Sequence, residues 1–411
     1  MPTRLTQRPV QPMNNFVPLS RTHPENRLLL NCARTCVESG VVQRVLGSVR
    51  DGVDWAYLIE TASAHGVLPL LCYNLNQLYA PVLPPGALRD LQARFRANSA
   101  RNLSLAAELI NILHFLESSG IAALAFKGPA LALSAYGNLA LRQFGDLDVL
   151  VREKDFPAAK ELFLAEGYRP WKDLTPQEEA LLLRSNHAFT LVRPQDGLRL
   201  DLHWRITQER YAFEFDVESL WARAIRVPFC GRDILGLSPE DSLLVLCIHG
   251  SKHGWERLGW ICDVAEVLRT DPELRWDEIL SRSAGLHIMR AVLLGLHLAR
   301  SLLDAPLPEP IVSAIRGDRG VRWVSYLIQK RLFARSRKVS QLEQAMLFMM
   351  ARERLQNKLP HLAYSFRRVV TPGEIDTSLF SLPDSLHFLY YPLRAARLTR
   401  VAVARLFRRA Q

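Results

Sequence analysis

The sequence lacks several features that would place a protein in a class at once. No window approaches the length of an uninterrupted apolar membrane span, so we expect no transmembrane helix. Residues 1–16 contain no apolar core of the kind that a secretory signal needs. There is also no C-x-x-C pair and no internal repeat, so the usual patterns of structural zinc sites and of repeat proteins are missing.

Cysteine is scarce, with six residues in a chain of 411. All six lie in apolar stretches without a pairing pattern, so we expect reduced core thiols of a cytoplasmic protein. The composition is 48% hydrophobic and 23% charged, which excludes wholesale disorder. At this length we expect two or three packed units.

Acidic residues are absent from both ends of the chain. Residues 1–24 carry three arginines and residues 385–411 carry six, so the tails hold nine of the eleven net positive charges and leave +2 for the body. A basic chain usually suggests nucleic acid as a partner, but a nearly neutral body disfavours it. The C-terminal arginines predict either a solvated terminal helix or, as the second interpretation, one that contacts a membrane surface or an acidic partner.

The hydrophobic pattern divides the chain into five segments. Residues 1–24, with five prolines and no periodicity, predict a disordered arm. Apolar spacings of three and four residues predict helical regions over 25–118 and 237–384, and a basic helix over 385–411. Short apolar and alternating runs over 119–236 predict four or five strands with helices. The fold class is therefore α+β, a small mixed-sheet core flanked by helical regions.

A tight turn inside the sheet segment could accept a phosphate group. A predicted strand ends at Phe126, Lys127 and Gly128 form the turn, and Pro129 suits the first position of a helix. The N-terminus of that helix offers unpaired N–H groups, and a glycine lets a phosphate approach them. Lys127 and Gly128 are therefore candidate nucleotide-binding residues.

Acidic residues on two predicted strands follow this turn. Asp146 and Asp148 are separated by one residue, so on a strand they project to the same side. If the strand that carries Asp201 is adjacent to the strand of Asp148, the three carboxylates form a cluster. His203 lies on the same face as Asp201, where it could orient a carboxylate or accept a proton; the alternative is an ordinary polar strand residue. Arg142, four residues before the pair, could bind phosphate oxygens; the alternatives are a surface arginine or one paired with an acid.

A second constellation is the sequence HGSKHGW, which begins at His249. On one continuous helix His249 and His253 share a face, with Asp263 about 80° around the axis from His253. A metalloprotease motif would need Glu after the first histidine, where this chain has Gly250, so zinc is disfavoured. We expect Lys252 and His253 to contact nucleotide phosphates, with His249 in a supporting role.

These motifs together resemble a known family. The patterns KG…R-x-x-G-D-x-D…D-x-H-W and H-G-x-K-H-G-W…D are similar to the bacterial uncharacterised nucleotidyltransferase family of the polymerase-β-like superfamily. The resemblance covers roughly 50–290 and is strongest over 124–151, 198–205 and 246–268. It implies a polymerase-β-like nucleotidyltransferase core.

The resemblance also implies roles for individual residues. In that superfamily a Gly-Ser or Gly-Gly turn holds the triphosphate, a D-x-D pair binds two metal ions, and a third Asp helps to activate the acceptor hydroxyl. Here the turn is 127–128, the pair is Asp146 and Asp148, and the third carboxylate is Asp201. The sequence departs from the pattern at Pro129, where the superfamily has Ser or Gly, which removes a hydroxyl and a backbone N–H donor.

The predicted function is transfer of a nucleoside monophosphate from an NTP such as ATP to a hydroxyl or phosphate acceptor, with release of pyrophosphate. Two Mg²⁺ ions are expected, with Mn²⁺ as an alternative. The sequence does not identify the acceptor, but the nearly neutral body favours a small molecule or a protein. The alternatives are a non-catalytic nucleotide-binding protein on the same fold and, ranked lower, a DxD glycosyltransferase, which would need more than one strand before its DxD.

Overall fold

The protein is described by a computed structural model, in which sixteen α-helices and seven β-strands occur among the described residues. The described residues are 23–37, 39–50, 52–79, 83–208, 216–334, 341–352, 386, 389–394 and 396–397. This content confirms the α+β class. The predicted arm at 1–24 and the predicted basic helix at 385–411 lie largely outside the described residues, so both stay predictions.

Five helices precede the sheet, as the apolar spacing predicts. They are α1 (Pro24–Cys32), α2 (Ser39–Arg50), α3 (Trp55–Ala64), α4 (Leu68–Tyr79) and α5 (Pro85–Ser118). Asp54 caps α3, because its carboxylate accepts a hydrogen bond from the Tyr57 N–H at 3.0 Å. Helix α5 is 34 residues long, and its C-terminal half packs on the sheet core. It therefore contacts both the helical region and the sheet.

Seven strands form one mixed sheet in the order β3-β4-β5-β2-β1-β7-β6. They are β1 (Ala123–Ala125), β2 (Leu147–Val151), β3 (Arg169–Pro170), β4 (Ala188–Arg193), β5 (Leu198–His203), β6 (Ile225–Phe229) and β7 (Arg232–Gly236). The β2–β5 and β1–β7 pairs are parallel and the others are antiparallel. The expected number of four or five strands is therefore wrong, because β3 is too short to show a pattern and β6 is mostly exposed and contains Pro228.

The hairpin between β4 and β5 sets the register of the site. Thr190 pairs with Asp201 across the hairpin, and Asp201 pairs with Asp148 of the parallel strand β2. Leu200 and Leu202 are fully buried on the opposite face of β5. The adjacency of the two acidic strands, which the sequence analysis required for a carboxylate cluster, is confirmed.

Four shorter helices connect the strands, and seven helices follow the sheet. The connecting helices are α6 (Gly128–Ser134), α7 (Phe156–Ala165), α8 (Pro176–Ser185) and α9 (Val217–Ala222). The later ones are α10 (Pro239–Lys252), α11 (Leu258–Thr270), α12 (Trp276–Gly285), α13 (Met289–Leu303), α14 (Glu309–Gly317), α15 (Arg319–Leu332) and α16 (Gln341–Met350). The early and late helices share one large core, whereas the sheet packs against α5 and α7 in a second core.

The expectation of one continuous helix through HGSKHGW is wrong. Helix α10 ends at Lys252, and the chain turns through Gly254 and Trp255, whose φ angles are 60° and 53°. The buried Trp255 ring folds back onto Gly250, where a Cβ would collide with it. Packing therefore explains both the helix break and the glycine at the position where a protease would need Glu.

Four of the six cysteines are buried as expected, namely Cys32, Cys72, Cys247 and Cys262. Cys36 and Cys230 are exposed instead, because they lie in the bend after α1 and in the turn between β6 and β7. None of the six forms a disulfide. Among the described residues, no helix has the length and apolar character required to cross a bilayer.

Candidate functional site

Two carboxylates lie side by side at the centre of the sheet. Asp148 on β2 and Asp201 on β5 are paired in register, and His203 lies two residues further along β5 on the same face. One ligand atom of each of these three side chains lies within 4.8 Å of the others. Within the described part of the chain, this is the one group of three such residues that could hold a metal ion.

Asp148 is held by two donors. Its Oδ1 accepts a hydrogen bond from Lys127 Nζ at 2.8 Å and contacts His203 Nε2 at 2.9 Å. Burial alone would raise the pKa of Asp148, but the Lys127 ammonium and the His203 hydrogen bond outweigh burial and hold this pKa well below its usual range. Asp148 is therefore a fixed negative charge in an almost fully buried position.

The Lys127-Gly128 turn is strained. Lys127 has a φ of 58° and a ψ of −150°, a backbone region populated almost only by glycine, which costs another residue about 1–3 kcal/mol. Two contacts hold it there: the ion pair with Asp148 and the hydrogen bond from the Leu131 N–H to the Lys127 carbonyl at 2.9 Å. Gly128 also has a positive φ, of 43°. Such strain persists where the surroundings fix it, and it concentrates at functional sites.

Asp146 lies close to the trio but outside it. It precedes the first residue of β2, so the strand geometry expected for an Asp146–Asp148 pair does not apply. Burial and then the charges of Asp148 and Asp201 raise the pKa of Asp146. Three carboxylates therefore repel one another here, and a bound cation would relieve that repulsion.

The donor set fits a hard divalent cation. Thr190 Oγ1 donates to one oxygen of Asp201 at 2.6 Å, and Lys127 and His203 contact one oxygen of Asp148. Among the described residues, nothing donates to the second oxygen of either carboxylate. Free carboxylate oxygens are the ligands that Mg²⁺ and Mn²⁺ prefer. His203 contacts Asp148 through Nε2 and so orients this carboxylate without being a ligand itself.

Arg142 does not point its guanidinium at the carboxylate cluster. Its Nε and Nη2 bind Asp263 of α11 at 2.7 and 2.9 Å, and Nη1 lies 3.4 Å from the Gly128 carbonyl. Tyr136 donates its hydroxyl to the same Asp263 at 2.6 Å. The direct phosphate contact expected for Arg142 is replaced by a buried ion pair, which braces the Gly128 turn against the helical core.

The second constellation lies beside the first. The Lys252 ammonium lies 3.3 Å from His187 Nε2, and the other ring nitrogen of His187 lies 2.8 Å from the Asn186 side-chain oxygen. Burial and then the Lys252 charge lower the pKa of His187. The rings of His249 and His253 lie 4.7 Å apart, and each also contacts Trp260.

These basic residues approach the carboxylates from the helical side. Burial and then the Lys127 and Lys252 charges, with that of His253, lower the pKa of His249, while Asp148 acts in the opposite direction. Geometry gives the same placement: Lys252 contacts His187, the His187 ring lies 5.3 Å from the His203 ring, and His203 contacts Asp148. The C-terminal end of α10 therefore lies beside the acidic cluster, while contact of Lys252 and His253 with a nucleotide stays a prediction.

Sequence reasoning missed Thr190, His187 and Arg199. Thr190 could have been found, because the turn at Gln195-Asp196-Gly197 fixes the hairpin register that places it opposite Asp201. His187 has no such local signal, since its partner Lys252 comes from a distant part of the chain. Alternation along β5 places Arg199 on the face of Asp201, but no local pattern predicts its contact with Trp171.

Carboxylate clusters that can hold divalent ions are typical of enzymes that transfer phosphorus-containing groups. Residues 51–304 match the family model described as "Uncharacterised nucleotidyltransferase". The match covers more than half of the 411 residues, so the chain belongs to this family, as its motifs indicated. The protein is a nucleotidyltransferase.

Two solved structures show a weak likeness. The antibiotic-resistance factor ANT(2'')-Ia is 13% identical with a TM-score of 0.34, over 48% of this chain and 98% of that one. An antigenic nucleotidyltransferase-like protein from Paracoccidioides brasiliensis is 16% identical with a TM-score of 0.32, over 54% and 99%. Neither TM-score is high enough to carry an inference about this chain. No curated protein matches the sequence.

Proposed function

We propose that the sheet domain, residues 119–236, is a polymerase-β-like catalytic core that moves a nucleoside monophosphate from an NTP to an acceptor hydroxyl or phosphate. The observation that carries this proposal is the register of Asp148 with Asp201, next to the Lys127-Gly128 turn. This arrangement sets carboxylates and a fixed ammonium side by side, which is the charge pattern that a metal–triphosphate complex needs.

Asp148 and Asp201 would hold Mg²⁺ or Mn²⁺, with Asp146 close enough to contribute to a second ion. Bound ions of this kind stabilise charge on the attacking and leaving oxygens of an in-line displacement. The repulsion between carboxylates that raises the pKa of Asp146 supports this assignment, because a bound cation would offset it.

The chain's own residues position the reactants. Lys127 lies where its ammonium reaches both Asp148 and a phosphate at the turn, Lys252 supplies positive charge from the helical side, and His253 follows it in the chain. Besides holding an ion, the Asp201 carboxylate accepts the proton of the acceptor hydroxyl. The hydroxyl oxygen bonds to the α-phosphorus, the bond to the bridging oxygen of the β-phosphate breaks, and pyrophosphate leaves.

The Pro129 departure is compatible with this function. Pro129 is buried in the first turn of α6 and removes one N–H donor from the phosphate turn. Lys127 offers an ammonium at the same turn, and a lysine can bind phosphate as a point charge. The alternative of a non-catalytic nucleotide-binding protein predicts binding without pyrophosphate release.

The test is incubation of the purified protein with each labelled NTP, with Mg²⁺ or Mn²⁺ and candidate acceptors, while pyrophosphate release is followed. Asp148→Asn is the matched control, since it keeps the side-chain shape but removes the charge. Release by the wild-type protein and not by Asp148→Asn supports the proposal. Nucleotide binding without release by the wild-type protein would favour the non-catalytic alternative.

A further inference from the structure

A row of side chains continues across the sheet beyond the carboxylates. Asp148, Asp201 and Thr190 are direct cross-strand partners on β2, β5 and β4. Trp171, which directly follows β3, continues this register, because its N–H donates to the Thr190 carbonyl at 2.9 Å. Cross-strand partners share one face of a sheet, so the row runs from Asp148 to Trp171 on one face.

Trp171 and Arg199 form an open pair at the end of this row. The Trp171 side chain is 64% exposed, and the Arg199 guanidinium lies over its ring, 4.9 Å from the centroid. Arg199 shares the face of Asp201 on β5, two residues before it. Its Nε is buried without a hydrogen-bond partner, and Arg199 forms no ion pair with any other described residue.

The Nε–H of Arg199 is a buried donor without a partner, which is unfavourable until an acceptor reaches it. A ligand oxygen would supply that acceptor. Arg199 lies two residues before Asp201 on β5, on the sheet face that carries the carboxylates. Arg199 is therefore a cation at the edge of the carboxylate cluster.

The Trp171–Arg199 pair and the phosphate turn lie on opposite sides of the carboxylates. The Lys127-Gly128 turn follows β1, on one side of Asp148, whereas Trp171 lies beyond β4, on the other side. Asp201 separates the two ends. A triphosphate held at the turn therefore leaves the Trp171 end for the molecule that supplies the attacking hydroxyl.

We propose that Trp171 and Arg199 form the acceptor subsite, and that the acceptor carries a ring and an anionic group, a carboxylate or a phosphate, besides the reacting hydroxyl. The assignment rests on the proposed function. Arg199 is two residues from Asp201 along β5, about 7 Å, and Trp171 is two strand spacings from Asp201, about 10 Å. A single six-membered ring with substituents spans distances of this size. The acceptor is therefore a small molecule that stacks on Trp171 and places its anion on Arg199.

Three matched probes test the charge preference without knowledge of the natural acceptor. They are benzyl alcohol, 4-(hydroxymethyl)benzoate and 4-(aminomethyl)benzyl alcohol, which share a ring and a hydroxyl and differ in charge. Each is titrated into the full-length protein labelled with 5-fluorotryptophan, and ¹⁹F NMR follows the eight tryptophans. Trp171→Phe identifies the resonance of Trp171.

The carboxylate probe should shift the Trp171 resonance and bind about tenfold more tightly than benzyl alcohol, which is the effect of one charge-assisted hydrogen bond. Arg199→Gln should remove that difference and leave the affinity for benzyl alcohol unchanged, which a merely structural role of Arg199 would not do. Arg226→Gln, an exposed arginine on the opposite edge strand β6, is the matched control and should keep the preference.

Equal affinity for the neutral and carboxylate probes, tighter binding of the aminomethyl probe, or no shift at Trp171 would each overturn the subsite. Calorimetric titration of the Mg complexes of ATP, GTP, CTP and UTP into the same samples separates this failure from failure of the proposed function. Binding of any one of these complexes with no probe preference refutes the subsite alone. If none of the four binds, the proposed function is refuted, and the acceptor assignment falls with it.

Discussion

The two ends of the row across the sheet differ in how their charges are compensated. At the end near the turn, Lys127 is paired with Asp148, and Arg142 is bound by Asp263 in a buried bidentate contact. At the other end, Arg199 lies over the exposed Trp171 without an ion pair to any described residue. Under the proposed function, the turn is arranged in advance for the constant reactant, the NTP, whereas the open end is left for the acceptor, which determines specificity.

The largest expected effect is at Asp148, the carboxylate that pairs with Lys127 at the turn. Asp148→Asn should reduce turnover by roughly a thousandfold or more, because the variant removes a metal ligand and leaves Lys127 without its partner. Initial rates of pyrophosphate release give the measurement, and the far-ultraviolet circular dichroism spectrum shows whether the fold is kept. Turnover near that of the wild-type protein would show that Asp148 has no part in catalysis.

The buried brace of the turn should appear as stability. Arg142→Gln should lower the free energy of unfolding by about 3–5 kcal/mol, because it leaves Asp263 buried without its cation. Arg94→Gln is the matched control, since Arg94 pairs with Asp90 at an exposed position of α5 and should cost less than about 1 kcal/mol. Urea denaturation of both variants measures the difference, and equal losses would show that Arg142 is no brace.

Asp201 should separate chemistry from nucleotide binding. Asp201→Asn should reduce turnover by on the order of a hundredfold, because the acceptor hydroxyl loses its proton acceptor. Its affinity for Mg–ATP should stay within about tenfold of the wild-type value. Rates and calorimetry on the same preparation test this division of roles; a parallel loss of both would assign Asp201 to the nucleotide instead.

The smallest expected effect is on nucleotide affinity at the turn. Lys127→Met should weaken binding of Mg–ATP by about tenfold, the contribution of one charge-assisted hydrogen bond. Lys252→Met, on the helical side, offers a comparison at a site further from Asp148. A Lys127→Met variant with unchanged Mg–ATP affinity would mean that the ammonium serves Asp148 alone.

Much of the acidic centre could be predicted from the sequence because it depends on local rules. Alternation along β5 separates the buried leucines from Asp201 and His203, and the turn at Gln195-Asp196-Gly197 fixes the hairpin. The sequence could not establish that β2 and β5 are neighbours. They form a parallel pair, and parallel strands are joined by a long connection whose course local rules do not predict.

The rest of the site depends on contacts between distant residues. Arg142 meets Asp263 across 121 positions, and no local pattern distinguishes this pair from a phosphate-binding arginine. Trp171 reaches the site through a two-residue strand that exists only because β4 is there to pair with it. The break after Lys252 has the same origin, because a buried tryptophan ring, rather than helix propensity, ends α10 there.

Calorimetric titration of Mg–ATP into the wild-type protein and into Asp148→Asn tests the central claim most directly, since it measures whether the paired carboxylates hold the metal–nucleotide complex. We expect the wild-type protein to bind Mg–ATP and the variant to bind it at least about tenfold more weakly, a difference of roughly 1.4 kcal/mol or more. Equal affinity in the two proteins would contradict the account, because the nucleotide would then lie elsewhere than at Asp148.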